Sequence, residues 1–106
     1  MKDGIYFVVF RSGQNEVGNG TVVVKDDTVN GGDYGFTYQG RIHRDTLNLH
    51  VSRHNPGAQN VIPGLNEYTM DLSIRDIGNG YHLEGNVAGV PGASLVVQAK
   101  FIGDLV

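Results

Sequence analysis

Along most of this chain, apolar side chains recur at every second position, and apolar residues at helical spacing are scarce. Successive side chains on a strand point to opposite faces, so period two marks half-buried strands. The stretch Asp3-Gly4-Ile5-Tyr6-Phe7-Val8-Val9-Phe10-Arg11 carries large apolar groups on both faces. The face with Ile5, Phe7 and Val9 is bracketed by Asp3 and Arg11, which favour water. Tyr6, Val8 and Phe10 are therefore expected to point into the core, with Ile5, Phe7 and Val9 outside. An apolar centre with a charged rim on an outer face has the composition of a protein–protein contact.

The later segments repeat the alternation. A strand over 16–25 turns Val22 and Val24 inward, and Gly18 and Gly20 within it predict a bulge or sharp coiling. A short strand is expected around Thr28-Val29, bounded by Asp26-Asp27 and by Asn30-Gly31-Gly32-Asp33. The strand over 34–42 places Tyr34, Phe36 and Tyr38 on one face, and 46–54 points Leu47, Leu49 and Val51 inward. Pro56, Gly57, Pro63 and Gly64 make 55–66 the longest loop, with Val61-Ile62 expected to pack back onto the barrel. Three more strands follow: 67–76 (Tyr68, Met70, Leu72 and Ile74 inward), 81–88 (Tyr81, Leu83, Val87) and 94–102 (Leu95, Val97, Ala99, Phe101). Gly78-Asn79-Gly80 is a hairpin signal, because Asn and Gly accept positive φ.

About eight strands joined mostly by short turns predict an all-β, single antiparallel up-and-down barrel over 1–106, since closure removes exposed edges. A two-sheet β-sandwich is the alternative. A barrel of eight strands is just wide enough to be filled by side chains or to hold one small ligand. The inward aromatic set makes an apolar-ligand cavity around Tyr6, Phe10, Tyr38, Tyr68 and Tyr81 the competitor to a filled core.

Composition removes several classes of function. With 106 residues the chain suits one domain and one core. It has no cysteine, hence no disulfide framework, thiolate metal site or cysteine nucleophile. The net charge is −3, and the 8 basic residues are scattered, which argues against direct nucleic-acid binding. Apolar residues 5–10 are too few for a secretory signal or a membrane span, so a cytoplasmic setting away from membranes is expected.

The candidate chemistry is thin. His50 and His54 on one strand would stand roughly 13 Å apart, too far to share a metal with Zn–N bonds of about 2.0–2.1 Å. No metal or other cofactor is expected. His43-Arg44-Asp45 is similar to a kinase catalytic loop, but position 50 is His where that loop needs Asn. Gly18-Asn19-Gly20 lacks the third glycine and the following helix of a dinucleotide site. No nucleophile elbow occurs, and Glu16, Glu67 and Glu84 are isolated, so no catalytic residues are assigned and an enzyme is not expected.

Several segments together resemble a known family. Lys2-Asp3-Gly4-Ile5-Tyr6, Phe10, Gly31-Gly32-Asp33, Tyr38-Gln39-Gly40, Leu49-His50-Val51 with Arg53, and Ala99-Lys100-Phe101-Ile102 occur in an order and spacing similar to the GrlR-like regulators of type III secretion genes. The resemblance spans nearly the whole chain. It implies a lipocalin-like barrel that dimerises and a non-enzymatic role: binding and restraining a transcriptional activator. The family's defining member has four consecutive acidic residues before its Leu-His-Val strand; here His43-Arg44-Asp45-Thr46 stands there, with one acid. On this reading Ile5, Phe7 and Val9 anchor a homodimer, and the turn at Arg44, Asp45 and Thr46 contacts the partner protein.

Overall fold

The computed structural model describes residues 1–60 and 64–106. The expected packing of Val61 and Ile62 falls outside that range. The described strands are β1 (Gly4–Ser12), β2 (Asn15–Lys25), β3 (Thr28–Gly32), β4 (Phe36–His43), β5 (Thr46–Arg53), β6 (Glu67–Asp76), β7 (Gly80–Val87) and β8 (Ser94–Gly103). Each pairs antiparallel with its sequence neighbours, and β8 returns to pair with β1, closing an up-and-down barrel. The barrel expectation holds, and the sandwich alternative is set aside by the β1–β8 ladder, which runs from Ile5↔Gly103 to Arg11↔Val96.

Inside and outside follow the period-two pattern. On β1, Tyr6, Val8 and Phe10 are buried, while Ile5, Phe7 and Val9 face outward. Met70, Leu72 and Leu83 are among the most completely buried side chains, each contributing roughly 1.5–3 kcal/mol through removal from water. The centre of the barrel is filled. Val8, Leu47, Leu49, Leu72 and Val97 enclose a void of only about 20 Å³.

The bulge expected near Gly18 lies beside it. Phe10 pairs with Gly18 and Arg11 with Glu16, leaving Val17 as the extra residue of β2. Two expectations are corrected. Gly31 and Gly32 are strand residues of β3, not a turn. A Cβ on Gly31 would lie 2.1 Å from the Thr21 carbonyl oxygen, so this glycine permits close strand approach. Tyr34 does not face the core; it is 75% exposed. The Asp33 carboxylate explains this. Its Oδ1 accepts the N–H groups of Gly35 and Phe36, both at 2.7 Å, folding 33–35 into a side-chain-capped turn that lifts Tyr34 out.

Two hairpins turn through left-handed residues. Asp26 and Asp27 take φ of 50° and 61°, which suits the twist of a two-residue hairpin. Arg44 takes φ 58°, a conformation that costs a side-chain-bearing residue about 1–3 kcal/mol.

Candidate functional site

Alternating strand direction sends the turns to two ends of the barrel. The β1–β2, β3–β4 and β7–β8 turns and the end of β5 lie at one end, the mouth. The chain's N-terminal segment and the β2–β3, β4–β5 and β6–β7 turns lie at the other. This placement divides the aromatic set. Phe10, Tyr38 and Tyr68 line a cavity of about 440 Å³ at the mouth. Tyr6 and Tyr81 do not join it; with Phe101 they line a separate cleft of about 230 Å³ at the closed end. There the Tyr6 hydroxyl donates to the Lys2 carbonyl at 2.6 Å, and the Lys2 backbone N–H donates to the Tyr81 hydroxyl at 3.0 Å. Burial, reinforced by Tyr81, pushes the Tyr6 hydroxyl pKa up to about 12.

The mouth cavity has an aromatic wall and a polar rim. The Phe10 and Tyr38 rings stack with centroids 4.8 Å apart and planes tilted by 26°. Gly20 permits this, since a Cβ there would come within 3.0 Å of the Tyr38 ring. The Tyr38 hydroxyl donates to Asp33 Oδ2. Burial first, and then the hydrogen bond and negative charge of Asp33, hold the Tyr38 hydroxyl far above its ordinary pKa. Tyr68 is pushed up to about 12 by burial and by the Asp33 charge. Its hydroxyl is fully enclosed and has no hydrogen-bond partner among the described residues. Asn60 Oδ1 is likewise unpartnered there, although its Nδ2 donates to Asn66 Oδ1 at 2.9 Å.

The β3–β4 turn is held down by the chain leaving β5. His54 Nε2 donates to the Asp33 carbonyl at 2.9 Å, and the His54 backbone N–H donates to the Gly35 carbonyl at 2.9 Å. His50 instead sits on the outer surface, with Nε2 2.7 Å from Glu67 Oε1. Among the described residues, no three His, Cys, Asp or Glu side chains are placed to share a metal ion. Glu16, Glu67 and Glu84 are dispersed and exposed.

Sequence reasoning missed Asp33, Asn60 and Gly18 as site residues. The Asp33-Tyr34-Gly35 spacing is a recognisable signal for a side-chain-capped turn. Asn60 and Gly18 give no such local signal.

The outer strip on β1 is broadened by its neighbours. Ile5 pairs with Val23 on β2 and packs beside Gly103 on β8; Phe7 pairs with Thr21 and Lys100, and Val9 with Asn19 and Gln98. Phe7, Val23 and Ile102 are 39%, 37% and 53% exposed. The apolar surface is thus concentrated at the Ile5 end. The bracketing charges are partly engaged: Asp3 Oδ1 accepts the Asp26 N–H at 3.2 Å, and Arg11 Nε donates to Gln98 Oε1 at 3.3 Å. Arg44, Asp45 and Thr46 are exposed at the closed end, remote from the mouth cavity. No protein-family model matches this sequence, and no curated protein matches it.

Proposed function

We propose that this protein is a non-enzymatic, cytoplasmic regulator that acts by binding other proteins, as the GrlR-like regulators it resembles restrain a transcriptional activator. The observation that carries the reading is the exposed apolar strip of Ile5 and Phe7, flanked at its Ile5 end by Val23 on one side and Ile102 on the other. Exposed apolar groups clustered across three neighbouring strands favour a contact surface over scattered surface residues. A second copy of the chain is the occupant the resemblance implies, giving a homodimer across β8–β1–β2. Each side chain in the strip is already half-covered, so each contributes less than the roughly 1.5–3 kcal/mol of full burial. Their sum has to exceed an association cost of at least about 4 kcal/mol, which calls for several of them together.

The partner contact is assigned to the turn Arg44, Asp45 and Thr46. Its support is the exposure of all three residues on a tight hairpin between β4 and β5. With Asp45 as its single acid, the turn does not offer the strongly negative patch of the family's defining member. The outward Asp71, Arg75, Glu84 and Lys100 favour an aqueous surface over a lipid-facing one.

Sedimentation tests the reading. The wild-type chain is expected to sediment as a dimer and Phe7→Asp as a folded monomer. A wild-type monomer removes the dimer, and an undiminished Phe7→Asp dimer removes this face. Affinity capture of a transcriptional activator by the wild type, lost on exchanging Arg44-Asp45 for Gly-Gly, tests the partner contact; equal capture by both overturns it.

A further inference from the structure

The cavity at the barrel mouth is built differently from the closed core below it. One wall is the Phe10–Tyr38 stack. Its rim carries Asn19, Asp33 and Asn60, and among the described residues no Lys, Arg or His lines it. Two polar atoms there have no partner among the described residues: the Tyr68 hydroxyl, on a residue only 6% exposed, and Asn60 Oδ1. Folded proteins leave few buried polar groups unsatisfied, because each costs roughly 1–3 kcal/mol. Both atoms have almost no accessible surface, so an incoming molecule gains them as partners only through a turn of the Tyr68 or Asn60 side chain toward the cavity.

Charge and shape narrow the class of molecule. Asp33 is the one carboxylate among the described lining residues, so a second carboxylate brought into this recess meets like charge in a poorly screened setting. A neutral or cationic donor does not. The cavity of about 440 Å³ falls toward the lower end of small-molecule pockets, about 300–1,000 Å³. Below it the core void is only about 20 Å³, so a long acyl chain has no channel to thread. A flat ring system with a short arm fits; a fatty acid does not.

We propose that the barrel mouth binds a flat aromatic molecule that carries a hydrogen-bond donor and no negative charge. Its ring lies against the Phe10–Tyr38 pair. A ring or arm donor reaches Asp33 at the rim, and a turn of the Asn60 or Tyr68 side chain toward the cavity gives the arm a second partner. The site is remote from the Arg44-Asp45 turn and independent of the strip around Phe7.

Isothermal titration and amide-shift mapping of the full chain with four probes test this: tryptamine, tryptophol, indole-3-acetate and decanoate. The first two share a ring and lack negative charge; the third keeps the ring and adds a carboxylate; the fourth is an acyl chain. Tryptamine and tryptophol are expected to bind, with shifts at Gly18, Asn60 and Tyr68. Indole-3-acetate and decanoate are expected to bind at least about tenfold more weakly, the equivalent of one lost charge-assisted contact. A Cβ on Gly18 meets open space, so Gly18→Leu fills the cavity without a backbone clash. It is expected to retain the wild-type melting temperature and to lose at least about tenfold in tryptophol affinity. Four results each overturn the proposal: no binding of tryptamine or tryptophol at millimolar concentration, shifts confined to other surfaces, equal affinity for indole-3-acetate, or a folded Gly18→Leu that binds as before. Shift mapping on the wild type decides the location even if that variant fails to fold.

Discussion

Removing single oxygen atoms from the two mouth tyrosines should have opposite effects on stability. Tyr38 donates its hydroxyl proton to the Asp33 carboxylate. Tyr68 keeps an enclosed hydroxyl with no partner among the described residues. Tyr38→Phe deletes a hydrogen bond to a charged group, worth about 1.5–3 kcal/mol. Tyr68→Phe deletes a desolvated hydroxyl that gains nothing in the ligand-free protein, and so relieves about 1 kcal/mol, the low end of the cost of an unsatisfied buried group. For 106 residues, an unfolding entropy of about 2.1 cal/mol/K per residue totals about 220 cal/mol/K. Tyr68→Phe is therefore expected to raise Tm by about 4–5 °C. Tyr38→Phe should lower it by about 7–14 °C by the same conversion. Calorimetric melting of wild type, both single variants and the double variant measures this. Either substitution keeps the ring and its packing, so loss of fold is not expected. A Tyr68→Phe protein less stable than wild type by 1 kcal/mol or more would mean that its hydroxyl is bonded in the free protein, and the ligand argument built on it would fall.

Further outcomes follow from the same geometry. The pKa values of Tyr6 and Tyr68 are raised to about 12, and that of Tyr38 is raised further. Because the unfolded chain ionises first, stability is fully present below pH of about 10 and falls between there and about 12, by roughly 1.4 kcal/mol per pH unit for each tyrosine; urea melts at pH 9 and 11 check this, and an unchanged midpoint refutes it. Gly31→Ala places a Cβ against the Thr21 carbonyl and should cost about 1–3 kcal/mol, read as a lower urea midpoint at constant slope; a wild-type midpoint would show that β2 and β3 can separate freely. Arg44→Gly relieves the left-handed strain at φ 58° and is expected to be neutral or stabilising by up to about 1 kcal/mol; a clear loss of stability would mean that the Arg44 side chain holds the turn.

Most of the strand plan was legible because it is local. Alternation of side chains is a property of each strand by itself, so the inward faces of β1, β5, β6 and β8 follow from residue order alone. The exceptions are equally physical. Tyr34 was expected to belong to the β4 alternation, but the Asp33 carboxylate captured the N–H groups of Gly35 and Phe36 and delayed the start of the strand to Phe36. Gly31-Gly32 has turn composition, yet the need for close approach to Thr21 made it strand. In both cases a contact invisible to the local pattern outweighed propensity.

The chain's own order of apolar and polar residues determined the number of strands, their short antiparallel connections and the outward placement of Ile5, Phe7 and Val9. Tertiary structure decided between the expected closed barrel and the sandwich alternative, through the ladder that returns β8 to β1. It also sorted five similar inward aromatics into two ends, sending Phe10, Tyr38 and Tyr68 to the mouth and Tyr6 and Tyr81 to the base. Depth along the barrel depends on register between strands, and register is set by pairing and bulges rather than by any one strand's sequence.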